Sequence, residues 1–244
     1  MNRVKAFAVR NAKEILRDPL TAAFGLGFPL VLILLMSAIQ ANIPVPLFEI
    51  GSLAPAVTVF GLAFMSLFSA TLIAKDRESA LLRRLYTTPM TSADFIAGYM
   101  LPMIPLSAAQ TAVCYATALP LGLPLTTRIL WAMLANLPAS LLFISLGLLC
   151  GSVLNGKQVG GICGALLTNL TGWLSGAWFD LDLVGGGFKK AADTLPFVHA
   201  VELERAVLTG SGAPIGTHLL IVCLYACVCT AFAVILFLRQ MKRQ

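Results

Sequence analysis

Residues 76–95 read DRESALLRRLYTTPMTSADF, the longest charged and helix-prone island in a chain that is otherwise mostly apolar. Asp76, Arg77, Glu78, Arg83 and Arg84 follow one long apolar run and precede another. Leu81 and Leu82 stand four and three residues before Leu85, so a helix here has one apolar face and a charged remainder. Pro89 stops it, because proline lacks the donor and disfavours helix at the residue before it. Ser92 and Asp94 are candidate caps for the helix that follows. The spacing predicts a short amphipathic helix at a membrane surface, held between two spans. On spacing alone, a solvated connector without a partner fits equally well.

The rest of the sequence supplies the spans. The 244 residues are 58% hydrophobic and 11% charged, with mean hydropathy +0.87, whereas a soluble domain is about one quarter charged. A membrane-crossing helix needs roughly 20 apolar residues. Windows 19–48, 50–74, 95–127, 129–156, 158–179 and 206–238 meet this without Asp, Glu, Lys or Arg. The expected fold is all-α and integral to the membrane, one domain over 1–244. Its six spans lie near 20–40, 52–74, 96–119, 130–152, 158–178 and 217–238. An interfacial helix covers 1–18, a cytoplasmic loop 76–92 and an outer segment 179–216.

Placing the N-terminus inside puts 13 of the 17 Lys and Arg on the inner side, leaving Arg128, Lys189, Lys190 and Arg205 outside. The positive-inside bias therefore predicts two cytoplasmic termini. Trp131, Trp173 and Trp178 then fall near the outer interface, where indoles concentrate. The net charge of +6 is read as a topology signal, and no nucleic-acid partner is expected, since the cations form no separate basic domain. Cys114, Cys150, Cys163, Cys223, Cys227 and Cys229 all lie in spans, so neither disulfides nor a metal site is expected.

The residues of the opening stretch also carry a resemblance. Glu78, Leu81, Leu82, Arg84, Leu85, Thr88, Pro89, Met90 and Thr91 resemble the cytoplasmic loop of ABC type 2 exporter permeases, in the drug-efflux-like branch. Ser79 and Ala80 stand where many members carry Gly-Thr. Residues 195–210, LPFVHAVELERAVLTG, are similar to that family's outer segment, which re-enters the membrane face and ends at a glycine; Leu195 replaces a frequent Asn. The resemblance implies that the 76–91 loop and the N-terminal helix transmit motion from a separate ATPase subunit. Arg77, Glu78, Leu81, Arg84 and Leu85, with Arg10 and Arg17, are the expected coupling residues. ATP and Mg are expected on two copies of that partner and no cofactor on this chain. A second permease copy or a paralogue completes the assembly, in a bacterial plasma membrane.

Other stretches are weaker signals. Residues 3–18 predict a basic amphipathic helix, with Arg3, Arg10, Lys13 and Arg17 on one side and Val4, Ala8, Ala12 and Ile15 on the other. Pro29, with Gly25 and Gly27 before it, predicts a bend in the first span. Phe64, Met65 and Phe68 in the second span suit either packing or an adaptable wall for a greasy substrate. Residues 151–158, GSVLNGKQ, fall one residue short of the phosphate-binding G-x-x-x-x-G-K-[ST] loop and read as a tight inner turn.

In the fifth span a small residue recurs every four positions at Gly156, Gly160, Gly164, Thr168, Gly172 and Gly176, with Asn169 beside the stripe. Close packing follows, within one subunit or across a dimer. In the resembled family the first, second and fifth spans surround the dimer axis, which favours the dimer. His199, Glu202 and Glu204 in the outer segment read as solvated or helix-capping groups. No span carries a mid-membrane Asp, Glu, Lys or Arg, which speaks against an ion-coupled pump. The sequence thus predicts an exporter permease for a hydrophobic or amphipathic drug, lipid-like compound or peptide. The alternative is a membrane scaffold or channel subunit without ATP coupling.

Overall fold

Every described element of the chain is helical, as its long apolar windows require: backbone donors and acceptors inside a bilayer find partners only within helices or closed barrels. The computed structural model describes residues 3–79, 81–88, 90–210, 212 and 214–241. Ala80 and Pro89 of the charged island, Lys242 and Arg243 of the basic tail, and the side chains of Leu82 and Arg83 lie outside that description. In chain order the helices are α1 (Arg3–Arg17), α2 (Pro19–Ala22), a π-helical turn (Ala23–Gly27), α3 (Phe28–Gln40), α4 (Ile50–Glu78), α5 (Leu81–Tyr86), α6 (Ser92–Ala118) and α7 (Arg128–Val153). Then come α8 (Gly156–Val159), a second π-helical stretch (Gly160–Leu167), α9 (Thr168–Leu174), α10 (Leu181–Val184), α11 (Gly186–Thr194), α12 (Pro196–Thr209) and α13 (Ile215–Met241).

Among the described residues, five helices are long and apolar enough to cross a membrane: Ala23–Gln40, Ile50–Glu78, Ser92–Ala118, Arg128–Val153 and Ile215–Arg239. The remaining predicted span is helical over Gly156–Leu174, but Lys157, Gln158, Asn169 and its glycines dilute its apolar content. The first span carries its distortion just before Pro29, as the wide turn Ala23–Gly27. Pro29 itself sits in the first turn of α3, where a missing N–H costs least.

α4 and α7 form the centre. α4 is buried along nearly all its length, and α7 packs on α4, α6, α12 and α13. Their contact is backbone-close: a Cβ on Gly147 or Gly151 of α7 would run into the main chain at Ser66 and Ala70 of α4. Two small residues four apart thus face two others four apart, a pattern that lets helices meet without side chains between them. Ser66 donates to the Phe143 carbonyl across the same seam.

The bundle has two distinct ends. α1, α5, the 154–158 turn and the last turns of α13 gather at one, where Phe237 lies against Phe95 at 5.7 Å. The links 41–49, 119–127 and 175–210 gather at the other. There α12 packs among α4, α7 and α13, ending at Gly210 in the left-handed conformation (φ 66°). A side chain at Gly210 would also strike the Arg128 guanidinium, which donates to the Thr209 carbonyl at 2.5 Å.

Candidate functional site

The basic end is built from α1 upward. Phe7, Asn11 and Ile15 recur every four residues and are the buried positions of α1. This corrects the expected face: Val4, Ala8 and Ala12 are half-buried beside Leu101 and Pro102, and the docking stripe passes through a polar residue, Asn11. The Asn11 amide donates to the Gly98 carbonyl of α6 at 2.9 Å. Phe7 sits edge-on to Phe95 and Tyr99, with centroids 5.7 and 5.0 Å away, and Gly98 leaves room for its ring.

The same contact gathers a buried carboxylate. Asp76, 2% exposed, accepts from Arg10 of α1 at 2.6 Å and from the Tyr99 hydroxyl of α6 at 2.9 Å. Asp76 belongs to α4, so one side chain ties three helices together. Its charge was plain in the sequence; its partners, 66 and 23 residues away, were not.

The charged island divides differently from the expected single helix. Residues 76–78 are the last turn of α4, and the loop helix is only Leu81–Tyr86. Arg77 turns back to α7 and donates to the carbonyls of Gly151 (3.1 Å), Ser152 and Leu154 (3.2 Å), groups a helix end leaves without partners. Glu78 accepts from the Gly156 N–H at the start of α8 at 2.9 Å, the end where a helix favours negative charge. A carboxylate therefore occupies the turn whose sequence approached a phosphate loop. Gln158 forms a capping box with Asn155 there, at 2.9 and 3.1 Å. Thr91, not Ser92, caps α6, again in a box with Asp94.

Between α1 and α5 lies an open groove of about 400 Å³, lined by Arg3, Ala6, Phe7, Arg10, Leu81, Leu85, Thr88 and Met90. Its walls are apolar and its cations stand on α1. Of the expected coupling residues, Leu81, Leu85 and Arg10 line this groove, Arg84 is exposed on α5, Arg17 is exposed two turns further along α1, and Arg77 and Glu78 are engaged on residues 151–156.

The expected substrate-path residues separate as well. Phe64 and Phe68 join Phe24, Phe28 and Phe60 in a chain of ring contacts between the first and second spans. Phe68 and Phe24 also wall a cleft of about 210 Å³ whose other lining residues include Glu14, Asp18 and Lys75. Met65 is wholly core, while Asn169 is exposed and donates to the Ala165 carbonyl of its own helix.

The small-residue stripe does not keep one face. Gly160 borders open space, a side chain at Gly164 would meet Leu67, Thr168 and Gly172 are buried within the chain, and Gly176 takes a turn conformation at φ 68°. The π-helical stretch explains this: its wider turns carry a four-residue spacing off the line an α-helix would hold.

At the other end, Glu204 departs from the solvated role expected of it. It is 0% exposed, and its Oε2 accepts from Tyr115 of α6 at 2.8 Å. Arg205 beside it clamps α12 down, donating to Glu202 (2.9 Å), the Ser52 carbonyl (3.3 Å) and the Gly176 carbonyl (3.0 Å). His199 meets His218 of α13 with Nδ1 atoms 2.9 Å apart. Among the described residues no group of three or more His, Cys, Asp or Glu is arranged to hold a metal ion.

Long apolar helices around a buried seam, with a surface helix pinned across one end, define a multi-pass helical membrane protein. The profile of the ABC-2 type transporter family matches residues 2–209, most of the chain, and the protein belongs to that family. Its members are membrane transport components, in general not catalytic themselves, that typically work with an ATPase subunit. No curated protein matches this sequence.

Proposed function

We propose that this chain is the permease of an ATP-driven exporter, forming one transmembrane domain of six spans with both termini in the cytoplasm of a bacterial cell. The observation that carries the reading is the α1–α5 groove, apolar inside and basic on its α1 wall, braced from behind by Arg10, Asp76 and Tyr99. A helix of a soluble partner seats in such a groove through apolar anchors. One of two ATPase subunits, which hold the ATP and Mg, presses there on Leu81 and Leu85, with the exposed Arg84 and Arg17 as further contacts. Because α5 begins within a few residues of the end of α4, and Arg77 and Glu78 fasten that end to the α7–α8 turn, pressure on α5 reaches both central helices. A second permease, identical or paralogous, completes the path. The cleft beside Phe24 and Phe68, greasy in depth with Glu14, Asp18 and Lys75 on its lining, suits an amphipathic or hydrophobic substrate.

The test is gentle purification from native membranes, reading co-purifying chains and ATPase activity together. A stoichiometric ATPase is expected, and Leu85→Asp should weaken its retention by more than about tenfold, the scale of one buried hot-spot residue. Charge reversal at Glu78 combined with Leu85→Asp should uncouple transport while leaving the spans folded. A chain that never retains an ATPase, even after crosslinking through 76–91, is instead a scaffold or channel subunit.

A further inference from the structure

The sequence places no acid in the middle of a span, yet the fold delivers one to the bundle interior from the side. α12 carries Glu204 inward to α6. Its Oε2 is bonded to Tyr115, and its Oε1 is buried with no hydrogen-bond partner. The nearby Thr58 hydroxyl of α4 donates to its own helix, at Ala54. The neighbouring charges are turned elsewhere. Arg205 is held by Glu202, Ser52 and Gly176. Arg128 of α7 binds Thr209, His218 of α13 meets His199, and Tyr225 of α13 donates to Thr194. On α11, Lys189 pairs with Asp182, and Lys190 and Asp193 are exposed. α4 has no charged residue before Lys75 and α9 has none. Cys114 of α6, beside Tyr115, is uncharged as a thiol.

We propose that Glu204 is a proton-binding latch of the outer end, holding a proton while α12 is packed down and releasing it to outer water when α12 lifts. A buried carboxylate with one hydrogen bond and no cation is costly, so the packed form holds the neutral acid. Burial raises this carboxyl to about 8, against the opposing effect of the Tyr115 hydroxyl and, more weakly, of the Thr58 hydroxyl nearby. Once hydrated, the group returns toward the ordinary Glu value of about 4.3. The packed state therefore binds the proton more tightly, and the ratio of packed to open molecules falls about tenfold per pH unit between those two values. The same proton leaves on opening and returns on closing, so none crosses the membrane. Low outer pH holds the outer end shut. The inference rests on the exporter reading for its assumption that this end opens.

The first test needs no transport. In a maltoside detergent, which has no carbonyl band of its own, the infrared difference between the full-length protein and its Glu204→Gln variant should show a carboxylic-acid C=O stretch near pH 6. That band should fade as pH passes about 8. Tyr115→Phe removes a donor to the carboxylate and should move the fading to higher pH; an acid that merely fills space shows no such shift. If only carboxylate bands appear near pH 6, the proposal is overturned.

The second test retains Cys114 as the sole cysteine and follows its reaction with a water-soluble maleimide, normalised to the same chain carrying Glu204→Gln. The ratio should rise several-fold from near pH 6 to near pH 9. A flat ratio with an intact acid band overturns the latch alone. An intact band and rising ratio in a chain that retains no ATPase overturn the exporter reading and leave the latch standing.

Discussion

Asp76 is where the basic end is decided. A carboxylate 2% exposed survives only with partners, and it has two: a guanidinium from α1 and a phenol from α6. Removing one partner of a fully buried pair costs about 3–5 kcal/mol, but an exposed pair contributes below about 1 kcal/mol. With the Arg10 side chain 37% exposed, Arg10→Ala should fall between, near 2 kcal/mol. The loss should appear locally, as hydrogen-exchange protection of α1 amides reduced by about ten- to thirtyfold. In an Asp76→Asn background the same change should cost much less, because no charge is left unpaired. Equal losses in both backgrounds would mean that Arg10 does not brace the helix through Asp76. The sequence made these residues visible only as charges. Which of them turn inward depended on contacts 66 and 23 positions away, beyond the reach of local spacing.

Helix identity was legible because the apolar windows are long and charge-free; helix contact was less so. The four-residue stripe of the fifth span looked like the close-packing face, but it assumed α periodicity, and the Gly160–Leu167 stretch is π-helical. The backbone-close seam instead joins Gly147 and Gly151 of α7 to Ser66 and Ala70 of α4, where only two glycines and two small residues mark it. Gly147→Ala should therefore act as overpacking at the centre of the bundle, costing about 1–3 kcal/mol and lowering the thermal unfolding midpoint in detergent. Gly160→Ala, whose added methyl meets open space, should leave that midpoint unmoved and serves as the control. An unmoved midpoint for Gly147→Ala would show that the seam can open without loss. The charged island divides otherwise than a single helix. The α4 helix runs on to Glu78 because Arg77 and Glu78 find partners on the 151–156 turn, a neighbour brought there by the fold.

For the whole molecule, the open question of packing is what covers the outward face of 156–174. Gly160, Gly161, Ile162, Ala165, Leu166, Asn169, Leu170 and Trp173 are all exposed. Isoleucine, leucine and tryptophan are at home in lipid, but an asparagine amide and bare glycine backbone are not. Among the described residues, Asn169 donates within its own helix. Lipid gives such a face no reason to keep its amide, whereas the same face of a second permease supplies one, through amide contacts and close backbone approach. Gly160→Leu adds bulk at an exposed position where the first added carbon meets open space, and Asn169→Leu removes the amide from an exposed position. Both should leave the folded monomer intact and lower the dimer fraction, measured by native mass spectrometry of the detergent-solubilised protein. Gly172→Leu, by contrast, would strike Trp178 and Phe60 inside the subunit and should damage the fold itself. If Gly160→Leu and Asn169→Leu leave the dimer fraction unchanged, or Asn169→Leu simply stabilises the monomer, this face looks onto lipid and is not where the proposed second permease docks.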